Sequence, residues 1–262
     1  MKVVVCMKQT PDTEATIKIA SDGKGIEEQN IKWIMSPYDE FAVEEAIRIK
    51  EKQGGETVVV TLGPERVVEA MRTALAMGID RGVHCVDPAF VGSDALATAK
   101  ILASVIKAEN PDLVLCGRQG IDLDQAQVPA YLAEILGWPQ VYAVAKLEIQ
   151  GNKAICNRRI EGGEEIVETS LPAVLTCDKG LNEPRYASLP GIMKAKKKEI
   201  KKWTLAQTGL SANDVGASGA KLKVVGYMPL PERPPGKIFK EQDTAEMVKQ
   251  VVKLLREEAK VI

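Results

Sequence analysis

Aromatic residues make up only 4% of this 262-residue chain, and it has a single histidine, His84. A Ser-His-Asp or Cys-His arrangement would have to be built around that one imidazole, and no GxSxG elbow accompanies it. His84 lies in GVHC, inside or at the end of a β-rich run, and reads as structural. No CxxC pair is present: Cys6, Cys85, Cys116, Cys156 and Cys177 stand far apart. That spacing argues against a zinc or iron-sulfur centre, and the odd count fits small core hydrophobes in a reducing compartment. No run approaches the ~18 apolar residues of a membrane span. The opening MKVVVCMKQT meets charge after a few apolar residues, unlike a signal peptide. The expectation is a soluble, cytoplasmic protein. Neither sign of charge dominates, with 35 Lys plus Arg against 36 Asp plus Glu, so nothing draws the chain generally toward nucleic acid or membrane. The lysine-rich run KAKKKEIKK, Lys194 to Lys202, has no interleaved aromatics and reads as a solvated face or a contact for an acidic partner.

What is present is a 45% hydrophobic chain with enough apolar residues for one sizeable α/β core and an appended segment. From Met1 to about Gly137, the β-rich runs KVVVCM, ETVVVTLG, GVHCVD and DLVLCG alternate with helical patterns, as in successive βαβ units on a parallel sheet. Ser36 and Pro37, with Asp39 and Glu40 close behind, predict a helix running toward Lys52 and stopping at a Gly-Gly pair. A second helix is expected from Glu65 to Met77, closed by Gly78. A third, capped by Ser93, carries Leu96, Ile101, Leu102, Val105 and Ile106 at helical spacing. A fourth is expected to begin near Asp124 or Gln125 and to end at Gly137. After Trp138, VYAVAKLEIQ, KAICNRRI and EEIVETSL predict an antiparallel meander, closed by LPAVLTC.

The segment CGRQGIDLDQAQVPA, Cys116 to Ala130, follows a buried strand and leads into a helix, where free N–H groups and the helix dipole attract phosphate. In a parallel sheet the crevice at the strand carboxyl ends is also the usual ligand site. Gln119, Gln127 and the backbone after Asp124, toward Val128, are candidate phosphate donors. Asp122 and Asp124 either take ribose hydroxyls or hold the loop through turn hydrogen bonds. The segment is neither a P-loop nor a GxGxxG fingerprint. Cys6, Met7, Lys8, Leu62, Gly63, Val86 and Asp87 follow other strands onto the same edge, with Lys8 either reaching a phosphate or lying solvated. Residues 1–190 thus form a candidate nucleotide-binding domain, including a β-rich extension over about 138–178. Residues 191–262, unpatterned until an amphipathic helix over Thr244 to Lys260 (Met247, Val251, Leu254, Leu255), read as an arm that lies across a partner.

Five ordered segments, SPYDEFAVEEA, RTALAMGIDRGVH, GRQGIDLD, NRRIEGGEEIVETSLPAVLTC and LNEPRYASLPGIMKAKKK, together resemble the β subunit of electron transfer flavoproteins over nearly the full length. The resemblance implies a Rossmann-like fold, similar to adenine nucleotide alpha hydrolases, with a parallel five-stranded sheet flanked by helices. It also implies a heterodimer with an α subunit that holds a flavin. Conventional members bind AMP in the β subunit, and electron-bifurcating members bind a second FAD there. Asp39 stands where conventional members tend to have Cys, which favours the bifurcating branch and FAD, with AMP the alternative. In that branch NADH reduces the β-bound flavin; one electron goes to ferredoxin or flavodoxin, and the other passes through the α-subunit FAD to an acyl-CoA dehydrogenase. Ser36 replaces the family's more usual asparagine at the pocket edge. The resemblance makes the GRQGIDLD loop, with Cys116, Gly117, Arg118 and Gln119, part of the nucleotide site. It gives Leu189 the role of anchor for the dehydrogenase, flanked by Arg185, Tyr186, Pro190, Ile192 and Met193 as partner-binding residues. It places Arg233, in PERPPGKIF, near the nucleotide as a phosphate or carboxylate partner. Against a third reading, a free-standing adenine-nucleotide-binding regulatory domain, stands the long region after Cys177, which asks for a partner surface.

Overall fold

The computed structural model describes residues 1–232, 235–240 and 243–262. In chain order the strands are β1 (Lys2–Cys6), β2 (Gln9–Pro11), β3 (Trp33–Met35), β4 (Glu56–Leu62), β5 (Arg81–Cys85), β6 (Leu113–Gly117), β7 (Gln140–Gln150), β8 (Lys153–Ile160), β9 (Gly163–Ser170), β10 (Ala173–Cys177) and β11 (Ile200–Trp203). The helices are α1 (Pro37–Gln53), α2 (Val67–Met77), α3 (Ala95–Glu109), α4 (Val128–Leu136), α5 (Leu189–Ala195), α6 (Leu205–Thr208), α7 (Gly216–Gly219) and α8 (Thr244–Glu257). No helix among the described residues is long and apolar enough to cross a membrane.

The apolar runs of β1, β4 and β6 do not alternate with polar residues, because both sheet faces are covered. Val3 and Val5 point into a layer shared with α1 and α2, through Ala42, Val43, Ala46, Met71, Ala74 and Leu75. Val4 and Cys6 point into the opposite layer, against Ile101, Leu102, Val105 and Ile106 of α3 and Leu132 of α4. Full burial of such a Val or Leu contributes roughly 1.5–3 kcal/mol.

Nine strands form the main sheet, in the order β11-β5-β4-β1-β6-β10-β7-β8-β9. The strands from β11 to β7 are mutually parallel, which makes seven where the resemblance implies five. The two additions have different causes. LPAVLTC does not close the meander: β10 enters between β6 and β7 and runs parallel to both. All five of its residues are buried, which demands cover on both faces. The meander itself is β7-β8-β9, antiparallel, and its outer strand exposes Glu164, Glu165 and Glu168, charges that protect an open edge. At the other edge β11 pairs with β5, burying Trp203, whose Nε1 donates to Ser104 Oγ at 3.1 Å. The chain therefore stays with the sheet beyond residue 190.

Helix starts follow local chemistry, with three corrections. Helix α2 begins at Val67, two residues after Glu65. The cap of α3 is Asp94, which accepts from the Ala97 N–H at 2.9 Å, whereas the Ser93 hydroxyl donates to the Phe90 carbonyl. Helix α4 begins only at Val128, because Asp124 (φ 49°) and Ala126 (φ 51°) take left-handed conformations that a right-handed helix cannot include. Beyond α7 the described residues are mostly exposed. The amides of Lys221 and Leu222 donate to Asp94 Oδ2 and that of Tyr227 to the Gly23 carbonyl, while α8 buries none of its residues here.

At the amino ends of the strands charge is closed off. The Arg81 fork binds Glu56 and Glu109, and the Arg81 guanidinium holds the Glu109 carboxyl down to about 2. The carboxyl ends are built differently.

Candidate nucleotide crevice

The strand order reverses at β1. From β1 the chain crosses by α1, on one face, to its neighbour β4, and from β5 it crosses by α3, on the other face, to β6 on the far side of β1. Outside the carboxyl ends of β1 and β6 the two crossings diverge and leave a crevice, the usual ligand position in an open α/β sheet.

Asp39, in the first turn of α1, stitches this crevice. Its Oδ2 accepts the Lys8 N–H at 2.7 Å and its Oδ1 the Gly117 N–H at 2.9 Å, so one carboxylate joins the exits of β1 and β6. Pro37 opens the helix, and Ser36 N–H donates to the Lys8 carbonyl, which fixes the approach of α1 to β1. Asp39 is 6% exposed, and burial pushes its carboxyl up to about 7 against the pull of the two amides. Its oxygens are committed within the protein, so it shapes the pocket wall. Beside it the Ser36 hydroxyl is buried without a hydrogen-bond partner and makes no cap.

Because the folded pKa of Asp39 lies above its ordinary 3.8, the native state holds more protons than the unfolded chain between 3.8 and about 7. Stability therefore falls as pH rises through that window, by up to about 1.4 kcal/mol per unit. Glu40 and Glu45 are shifted up by burial too, so the expected result is a difference: Asp39→Asn flattens the loss of denaturant midpoint between about pH 4 and pH 7. Equal slopes in the two proteins would refute this role for Asp39.

Lys8 projects from the β1 exit over the loop after β6, its Nζ 2.8 and 2.7 Å from the two oxygens of Asp122. Gln119 Nε2 donates to Asp124 Oδ1 at 2.8 Å, and the Asp124 N–H to the Gly120 carbonyl at 3.0 Å. Both aspartates thus hold the loop, one of the two roles that the sequence leaves open for them. The loop delivers the chain to the start of α4, where Gln127 Oε1 is buried without a partner and the Val128 and Ala130 amides fall in the unpaired first turn. An ammonium and a helix N-terminus at one mouth suit an anionic ligand, of which phosphate is the simplest, while the orphaned Gln127 oxygen suits an N–H or O–H donor on the same ligand.

Cys6, Met7 and Cys116 are buried, so these strand ends offer backbone and wall. Leu62 is half-buried at the β4 exit. Gly63 N–H donates to the Cys85 carbonyl, and the Gly63 carbonyl stands 2.9 Å from His84 Nε2, which makes the one histidine a support for that turn. Arg118 is drawn aside: Nε donates to the Tyr142 hydroxyl at 3.1 Å and Nη1 to Asp178 Oδ2 at 3.2 Å. Nothing local in the sequence marks Tyr142, whereas Asp178 directly follows the wholly buried β10 and so stands at a strand exit. Arg233 lies outside the described residues.

The other candidates form a second region. Ser188 Oγ caps α5, which leaves Tyr186 98% and Leu189 79% exposed, with Pro190, Ile192 and Met193 also turned outward. This patch lies against α2, near that helix's carboxyl end and so toward the amino ends of the strands, away from the crevice.

A family model described as an electron transfer flavoprotein domain matches residues 24–208. The chain is 42% identical to the electron transfer flavoprotein subunit beta of Bacillus subtilis (strain 168), over 263 residues that cover 100% of each. Against the protein of that name from Bradyrhizobium diazoefficiens it is 42% identical over 254 residues, 96% of this chain and 97% of the relative. Against that of Dictyostelium discoideum it is 38% identical over 252 residues, 95% and 98% of the two chains.

Proposed function

Since the chain belongs to the family of electron transfer flavoprotein β subunits, we propose that it works as the nucleotide-holding half of a heterodimer, paired with a flavin-bearing α subunit. The observation that carries the reading is the crevice at the strand-order reversal, stitched by Asp39 and faced by Lys8, Gln119 and the start of α4. In this reading the Lys8 ammonium and the first-turn amides of α4 neutralise the phosphates. The Gly117 and Gly63 turns wall the adenine side, and the Asp122 and Asp124 bonds keep the loop shaped for the ligand.

The nucleotide we propose is FAD, with Asp39 the residue that favours it, and the complex is then of the electron-bifurcating kind. FAD held there by Lys8, Gln119 and the start of α4 would supply the redox chemistry that links NADH to ferredoxin or flavodoxin and, through the α subunit's FAD, to an acyl-CoA dehydrogenase. The chain contributes binding, orientation and exclusion of water. The exposed segment from Tyr186 to Met193 meets the dehydrogenase, and the arm from about Lys221 to α8 embraces the α subunit, completing the burial of the apolar face of α8, which this chain alone covers only in part.

The test is to co-express the chain with its α subunit and quantify the nucleotides released on denaturing the complex. Two FAD per heterodimer and no AMP is the expected result. One FAD with one AMP makes this subunit the structural half of a conventional carrier, and neither nucleotide here removes the crevice assignment.

A further inference from the structure

Arg185 is the one charged residue of the apolar docking region, and its guanidinium is already occupied. It makes four hydrogen bonds to two carboxylates of α1: Nε and Nη2 to Glu44 at 2.8 and 3.1 Å, Nη1 and Nη2 to Glu51 at 2.6 and 2.9 Å. Its backbone N–H adds a bond to Glu44 at 3.2 Å. Glu44 is only 2% exposed and takes a further bond from Arg48, so a partner protein has no access to it. Three residues earlier Asn182 Nδ2 donates to Glu45 Oε2 and to the Phe41 carbonyl, again on α1.

Downstream the segment is pinned a second time, to α2. Arg72 Nη1 donates to the carbonyls of Ala195 and Lys198, and Lys198 Nζ to those of Leu75 and Ile79. Between the pins Gly191 lies so close to α2 that an added Cβ would stand 2.4 Å from the Ala76 carbonyl oxygen. A short chain held at both ends against two helices, with its apolar side chains turned out, is ordered before any partner arrives. Such preorganisation lowers the entropy cost of association.

We infer that Arg185 is a positioning residue: with Glu44 and Glu51 it fixes the upstream end of the docking segment and makes no contact with the dehydrogenase. This rests on the reading of Tyr186 to Met193 as the docking segment. A planar fork matched to two carboxylates suits arginine, and lysine keeps the charge without the geometry.

The test uses the complex with the α subunit and two readouts. Hydrogen exchange of the amides over residues 186–195 is expected to accelerate on the order of tenfold in both Arg185→Gln and Glu44→Gln. The double variant is expected to exchange no faster than either single one, since both remove one clamp. In electron transfer to the acyl-CoA dehydrogenase, both single variants raise the KM for the dehydrogenase at unchanged kcat, and Arg185→Lys lies between wild type and Arg185→Gln. Should Glu44→Gln fail to fold, Glu51→Gln, at an exposed position, carries the same comparison. Unchanged exchange in Arg185→Gln overturns the inference, as does a raised KM in Arg185→Gln with neither glutamate variant affected, because Arg185 would then touch the partner directly. Undiminished electron transfer in Leu189→Ala removes the docking reading itself, whatever the exchange experiment gives.

Discussion

Leu189→Ala is expected to lower electron delivery to the acyl-CoA dehydrogenase by roughly 10- to 100-fold while the nucleotide content of the complex stays at the wild-type level. Leu189 is 79% exposed and sits in the first turn of α5, so it does not pack inside its own loop. Burying a leucine in a partner pocket contributes roughly 1.5–3 kcal/mol, and about 1.4 kcal/mol is a factor of ten in affinity. Side chains fully desolvated in a partner pocket carry this kind of weight, with the surrounding contacts excluding water. The effect belongs in the KM for the dehydrogenase, since nothing at the crevice changes. Turnover measured across a range of dehydrogenase concentrations separates the two; an unaltered KM rules the docking role out.

Gly117→Ala should do greater damage, and at the other end of the sheet. A Cβ at this position would stand 2.3 Å from Asp39 Oδ1 and 2.7 Å from the Tyr38 carbonyl carbon. Backbone of α1 cannot swing aside as a side chain can, so either the helix start moves or the β6 exit does, and the Gly117 N–H bond to Asp39 is lost in both cases. A cost of about 3 kcal/mol or more is expected, in the range reserved for overpacked cores and broken buried polar networks. Because the stitch also shapes the crevice, nucleotide should leave with the stability. The control is Gly163→Ala in β9, where an added Cβ meets nothing within 4 Å and the change is expected within about 0.5 kcal/mol. Denaturant midpoints for both variants decide it, and a Gly117→Ala protein as stable as the control would show that α1 yields at no cost.

How far the sequence foretold this molecule depended on whether a feature was local. Pro37 with Asp39 and Glu40 marks the start of α1 correctly, because proline and first-turn acids act on the helix that they open. The same rules cannot say that Asp39 reaches 78 residues along the chain to Gly117. Helix α4 starts later than its sequence implies, since left-handed backbone at Asp124 and Ala126 carries no glycine to announce it. The parallel strand β10 reads as part of the meander by its position after a turn, yet its unbroken apolar run implies cover on both faces. Strand β11 has four residues, two of them lysines, and only pairing with β5 makes it a strand. Arg185 reads as a contact residue in an apolar docking motif; its carboxylate partners, on α1, lie more than a hundred residues away.

The place of β10 governs how the chain can be made. Strands β7, β8 and β9 are synthesised first, yet β7 has no neighbour on its inner side until residues 173–177 emerge and enter the slot beside β6. Until then the growing polypeptide carries β6 with an open apolar edge and a three-stranded flap tethered only through α4. Long-range pairings of this kind are slow to form and vulnerable while they wait. A chain cut short within the flap therefore cannot be a smaller working protein. It would be an unfinished sheet with a sticky margin, a substrate for chaperones and proteases.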